Sequence, residues 1–151
     1  MIQILSQKHA KTCSTLHQLC FEKNWGEDEF HQFFQNQSIV IWGTWQKDIL
    51  IGLLVIAITV DEAEIYTLCT HPDYRYKQTA TSLIQTAKTE CSNRLVTSLF
   101  LEVSHKNEAA ISCYRKSGFD DIAIRKNYYS LSGERNDALV MRSALQSVYK
   151  A

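Results

Sequence analysis

Glu102, Asn107 and Tyr114 fall within one short stretch, and a carboxylate, an amide and a phenol together supply what is needed to take a proton and return one. The stretch is residues 99–119, LFLEVSHKNEAAISCYRKSGF. Alternation places Leu99, Leu101 and Val103 on one face of a predicted strand and Phe100 and Glu102 on the other, so a charge stands near the carboxyl end of an otherwise apolar strand. Residues 107–110 then open a helix; Gly118 stands just beyond its C-cap, and Phe119 resumes the apolar pattern. Asn107, Ala110, Ile111 and Tyr114 share one helical face, because seven residues make nearly two turns. Each side chain also has a plain structural role on spacing alone: a strand-end carboxylate, an N-cap, and a core tyrosine with its hydroxyl bonded.

The surrounding pattern supplies elements to hold this stretch. Strands are expected over residues 2–5, 38–46, 49–60, 64–70, 119–129 and 137–142, besides the one that carries Glu102. Helices are expected over 8–23, 28–35 and 78–93, besides the one that carries Tyr114. Lys47-Asp48 closes a hairpin, residues 24–27 break the first two helices apart, and His71-Pro72-Asp73, with the only proline, ends the strand before it. This order predicts a single α/β domain over residues 1–151, with a mixed central sheet of about six to seven strands flanked by four helices. Strands that alternate with helices run parallel, and ligands gather beyond their carboxyl ends, here near Thr70 and Glu102.

Composition excludes several classes. Sixteen basic and sixteen acidic residues cancel, with no basic stripe, so direct nucleic-acid binding has no electrostatic basis. Five widely spaced cysteines without a CxxC pair read as buried thiols in a reducing compartment and speak against a structural metal. The first residues, MIQILSQKHAK, lack the pattern of a signal peptide, and the longest apolar run, residues 49–60, is too short to span a bilayer. A soluble, cytoplasmic protein with no membrane partner is expected.

EIYTLCTHPDYR at residues 64–75, LFLEV at 99–103 and NEAAISCY with GF at 107–119 come in an order that resembles the GNAT family of N-acetyltransferases. With NWGE at 24–27, RKNYY at 125–129 and DALVM at 137–141, the chain looks like the ribosomal-protein alanine N-acetyltransferase branch. The resemblance implies the GNAT fold and transfer of an acetyl group from acetyl-CoA, with no metal, to the α-amine of a protein, a ribosomal protein being the branch's acceptor. It assigns Glu102 as the base, directly or through water, and Tyr114 as the acid that protonates the departing sulfur. An α-amine ionises near about 8 against about 10.4 for lysine, so a carboxylate suffices as its base.

By the same resemblance Asn107 bonds the CoA arm, and Leu68, Cys69 and Thr70 offer backbone groups to it as an added strand would meet them. Cys69 itself reads as a buried structural thiol. Trp25, Tyr128 and Tyr129 line the peptide groove in this branch, although aromatic packing is their ordinary use. The family's pyrophosphate loop corresponds to Arg75-Tyr76-Lys77-Gln78-Thr79-Ala80, leading through Thr81 into a helix whose amides hold phosphate. Arg75 and Ala80 fit this pattern, but Gln78 stands where the family has glycine. A left-handed backbone there costs a non-glycine residue about 1–2 kcal/mol, or roughly tenfold in affinity. Lys77 adds charge that offsets part of this. A binding module with weakened acetyl-CoA affinity, and an acetyltransferase of small amines, are the alternative readings.

Overall fold

The computed structural model describes residues 1–75, 78–126 and 136–146. The chain runs β1 (Ile2–Ile4), a 3-10 turn (Gln7–His9), α1 (Ala10–Cys20), α2 (Glu27–Gln35), β2 (Ile39–Gln46), β3 (Ile49–Ile58) and β4 (Glu62–Thr70). A second 3-10 turn (Pro72–Tyr74) leads to α3 (Thr79–Asn93), β5 (Ser98–Ser104), α4 (Glu108–Lys116), β6 (Asp120–Arg125) and β7 (Ala138–Ala144). The described strands form one sheet in the order β1-β2-β3-β4-β5-β7-β6. Among the described strands only β4 and β5 pair in parallel, because the chain returns between them through α3.

Helices cover both faces of this sheet. Leu54 and Ile56 of β3 enter the core with Leu83, Ile84 and Ala87 of α3 and with Ile111 and Tyr114 of α4. Leu53 and Val55 enter the other core, with Cys13 and Leu16 of α1 and Phe30 of α2. A strand covered on both faces needs a continuous apolar run, which residues 49–60 supply. Gly52 lets α3 approach closely, since a Cβ there would lie 2.7 Å from Thr79 Cγ2 and 3.0 Å from Leu83 Cδ1.

Two element ends depart from the sequence pattern. α1 stops at Cys20 rather than continuing to residue 23, and Phe21 is extended at φ −136°. The reason is tertiary: the Trp25 N–H donates to His17 Nδ1 at 3.0 Å, and His17 Nε2 meets Thr67 Oγ1 at 3.3 Å. The chain must therefore double back under the end of α1. The strand expected over 119–129 ends at Arg125 among the described residues.

The sheet also has one irregularity that matters for function. Ile65 opposes Ile56 and Thr67 opposes Val55, which leaves Tyr66 as an extra residue in β4. The bulge reverses the side-chain alternation, so Ala63 and Ile65 join the α3–α4 core whereas Cys69 joins the α1–α2 core. The β4–β5 ladder ends at the same level, with Ile65 opposite Leu101.

Candidate active site

Beyond Ile65 and Leu101 the two parallel strands are no longer paired, and the backbone of β4 turns an unpaired edge toward the gap. A cleft of about 440 Å³ opens there. Leu68, Cys69 and Thr70 from β4 line it, together with Arg75, Gln78, Thr79, Ala80 and Thr81 at the start of α3 and with Asn107 and Tyr114 from α4. Ten of the residues singled out in the sequence thus share one cleft. Tyr76 and Lys77, from the same loop, lie outside the described residues, as do Tyr128 and Tyr129.

The α3 end of the cleft suits an anion. Ser82 N donates to Gln78 O at 3.0 Å, so the amides of Thr79, Ala80 and Thr81 precede the first intrahelical bond and have no acceptor within the helix. These groups and the helix dipole place partial positive charge at the cleft, and Arg75 adds a full one. Arg75 is tethered by its Nε to the carbonyl of Thr70 at 3.3 Å. Gln78 caps this helix at φ 62°, ψ 16°, in the left-handed region, with no side-chain cap bond. The strain expected of a non-glycine residue in this loop is therefore present.

The α4 end is locally relaxed. Asn107 Oδ1 accepts from Ala110 N at 3.2 Å, which makes Asn107 an N-cap while it also lines the cleft. At the far end of α4, Phe119 N donates to Tyr114 O and Gly118 N to Arg115 O, and Gly118 has φ 93°. This is the Schellman arrangement, and it explains the glycine. Tyr114 is 8% exposed, with its ring edge-on to Phe119 at 5.7 Å. Burial pushes its phenol above the usual tyrosine range, which keeps it protonated and able to donate.

Glu102 occupies a different wall. It lies one residue past the last β4–β5 pair and faces away from the core that holds Leu101 and Val103. Both of its oxygens lie 3.2 Å from Arg125 Nη1. It borders two grooves of about 440 and 410 Å³, one running toward Asn136 and Asp137 and the other past Tyr66 and Phe100. Glu102 and Tyr114 therefore stand on opposite faces of the sheet, on either side of the gap between the strands.

Trp25 packs among aromatic rings. Its ring stacks on His17 at 4.6 Å and 6°, and meets Phe30 and Phe33 edge-on. The aromatic row continues from Phe33 to Tyr66 at 6.2 Å. Tyr66 thus stands beside the Glu102 groove, a position with no signal in the sequence, because only the bulge puts it there. Cys20 and Phe21 at the end of α1 also line the main cleft and were equally hidden, since nothing local ties them to residues some fifty positions later. Among the described residues no group of three or more His, Cys, Asp or Glu side chains is placed to hold a metal ion.

Known proteins share this arrangement. Residues 10–119 match the acetyltransferase (GNAT) family. The chain is 30% identical over 117 residues, 78% of each chain, to the ribosomal protein bS18-alanine N-acetyltransferase of Escherichia coli (strain K12). It is 33% identical over 122 residues, 80% of each chain, to the putative enzyme of that name from Bacillus subtilis (strain 168). The crystal structure of the Escherichia coli ribosomal-protein alanine N-acetyltransferase superposes with a TM-score of 0.89 at 26% identity, covering 99% of this chain and 96% of that one. The splayed strands, the phosphate-ready start of α3 and these matches lead to one conclusion: the chain belongs to the GNAT family of acetyl-CoA-dependent N-acetyltransferases.

Proposed function

We propose that this protein, acting as one acetyltransferase domain over residues 1–151, acetylates the α-amine at the N-terminus of a protein in the cytoplasm, with a ribosomal protein as acceptor. The observation that carries this reading is the placing of Glu102 and Tyr114 on the two sides of one gap between strands. The relatives' activity toward a ribosomal protein supports the choice of acceptor.

Acetyl-CoA supplies the acetyl group as a thioester. The amides at the start of α3 and Arg75 receive its pyrophosphate, and the free edge of Leu68–Thr70 pairs with the pantetheine arm, positioning the thioester between the strands. Asn107, whose Oδ1 caps α4, meets the arm through its amide nitrogen. Glu102 takes the proton from the α-ammonium, directly or through one water, so that the amine lone pair attacks the carbonyl carbon. As the carbon–sulfur bond breaks, Tyr114 gives its proton to the sulfur; the attacking nitrogen sheds its second proton to solvent, where Glu102 also releases the first and from which Tyr114 recovers its own. The acceptor enters along the Glu102 grooves; Trp25, Tyr128 and Tyr129 are assigned to it on the family resemblance alone.

The test is to incubate the protein with acetyl-CoA and peptides carrying the N-termini of the host's ribosomal proteins, and to locate the acetyl group by mass spectrometry. Product at the α-amine is expected. Acetylation of lysine side chains alone, or no product from folded protein that binds acetyl-CoA, overturns the reading. The left-handed Gln78 favours a second reading, a binding module with weakened donor affinity. Micromolar binding of acetyl-CoA by calorimetry would dismiss it.

A further inference from the structure

Cys20 and Cys69 come from different elements, the end of α1 and the end of β4, yet both line the cleft. Cys20 Sγ donates to the carbonyl of Thr70 at 3.3 Å, which fastens it beside the residue that follows Cys69. The same carbonyl accepts from Arg75 Nε at 3.3 Å, so the guanidinium stands close to this thiol. Cys20 is half-buried whereas Cys69 is only 5% exposed. Cys13 and Cys91 are wholly buried in the cores.

We propose that Cys20 and Cys69 form an exchange-active dithiol on the wall of the acetyl-CoA cleft, with Cys20 as the attacking sulfur, Cys69 as the resolving sulfur and a low-molecular-weight disulfide as the oxidant. The Cys20 thiolate attacks one sulfur of that disulfide, forming a mixed disulfide and releasing one thiolate. Cys69 then loses its proton and attacks Cys20 Sγ, releasing the second thiolate. The two protons given up by the cysteines end on the two released thiols, so the pair is oxidised by two electrons and the small disulfide is reduced by two.

The chemistry separates four of the five cysteines. The neighbouring Cys69 thiol, with help from Arg75, lowers the Cys20 thiol to about 7, near the optimum for an attacking thiol. The interaction with Cys20, and burial after it, raise Cys69 instead, and burial raises Cys13 to about 12 and Cys91 to about 11. A bond between Cys20 and Cys69 would replace the Cys20–Thr70 hydrogen bond and pull on the very backbone edge that receives the pantetheine arm. Bound donor covers the pair in return. The inference rests on the cleft holding acetyl-CoA.

The test uses the full-length reduced protein, treated with glutathione disulfide near neutral pH with and without saturating acetyl-CoA, then digested without reductant. Mass spectrometry should find the Cys20 and Cys69 peptides linked, the link suppressed by acetyl-CoA and reversed by dithiothreitol. Calorimetry on the oxidised protein should show donor affinity down about tenfold, the effect of misplacing about one hydrogen bond. Cys69→Ala should stop the reaction at a glutathione adduct on Cys20, and Cys20→Ser should give neither product. Adducts on Cys113 without the link, or linkage unaffected by acetyl-CoA, overturn the proposal. Failure of the reduced protein to bind acetyl-CoA would instead break the reading of the cleft.

Discussion

The molecule uses the same device twice, a parallel strand that ends at the gap followed by a helix whose first turn faces the cleft, but β4–α3 and β5–α4 differ in how comfortably they do it. At β5–α4 the cap is an asparagine at φ −88°, bonded to Ala110 N, and the helix closes on a glycine. At β4–α3 the cap is Gln78 at φ 62°, with no side-chain bond to the helix. Of the two junctions, the one proposed to move protons is thus unstrained, while the one proposed to hold the donor's phosphates carries a left-handed non-glycine residue. Turnover and donor affinity should accordingly respond to different substitutions.

Tyr114→Phe gives the sharpest separation. It keeps the packing against Phe119 but removes the acid, so turnover should fall about 10²–10⁴-fold while acetyl-CoA affinity, read by calorimetry, stays near that of the unaltered protein. Because the phenol is held above its ordinary value of about 10, loss of its proton should not limit the unaltered enzyme between about pH 8 and pH 10. An alkaline fall in kcat over that range, absent in Tyr114→Phe, would refute this. Glu102→Gln should lower kcat by about 10²-fold, again sparing donor affinity, with a larger deficit at low pH where the α-amine is more fully protonated. If donor affinity fell with it, the two faces of the gap would not be separable.

Gln78→Gly probes the strained junction. Glycine accepts the left-handed conformation, so acetyl-CoA should bind up to about tenfold tighter with kcat unchanged at saturation. Weaker binding would mean that the glutamine side chain itself holds the donor. Asn107→Ala should have the smallest effect, about 1 kcal/mol of stability in denaturant unfolding. Asn107→Asp keeps the cap acceptor and should restore that stability. A donor affinity that remains reduced in the aspartate variant would assign the amide nitrogen to the CoA arm, whereas full recovery would leave Asn107 as a cap alone.

Much of this is legible in the sequence. The two-faced β3, the alternating β5 and the helical faces of α3 and α4 are written in local periodicity, because burial repeats with the geometry of each element. Residues 99–119 carry a strand, a cap, a phenol and a helix-ending glycine in one run, so that half of the site could be read as it stands. Even the strain at Gln78 was foreseeable from a non-glycine residue in a loop that resembles a glycine loop.

What could not be read depended on contacts between distant residues. The stacking of His17 on Trp25 and the bond it accepts from the Trp25 backbone N–H have no local signal, since a ring buried at the end of α1 must find partners for its nitrogens wherever the fold brings them. The extra residue at Tyr66 is defined only by its register against Val55 and Ile56, and no single strand encodes a register. From that bulge follow the reversed alternation that sends Cys69 toward Cys20 and the level at which β4 leaves β5. The sequence by itself determined the elements, the cores and the order of the chemical groups, because those depend on neighbours a few residues away. The tertiary structure alone decided which strand edge stays unpaired, that Cys20 and Cys69 line one cleft and that Glu102 and Tyr114 lie on opposite faces of the sheet, because those depend on how far two strands run together before they part.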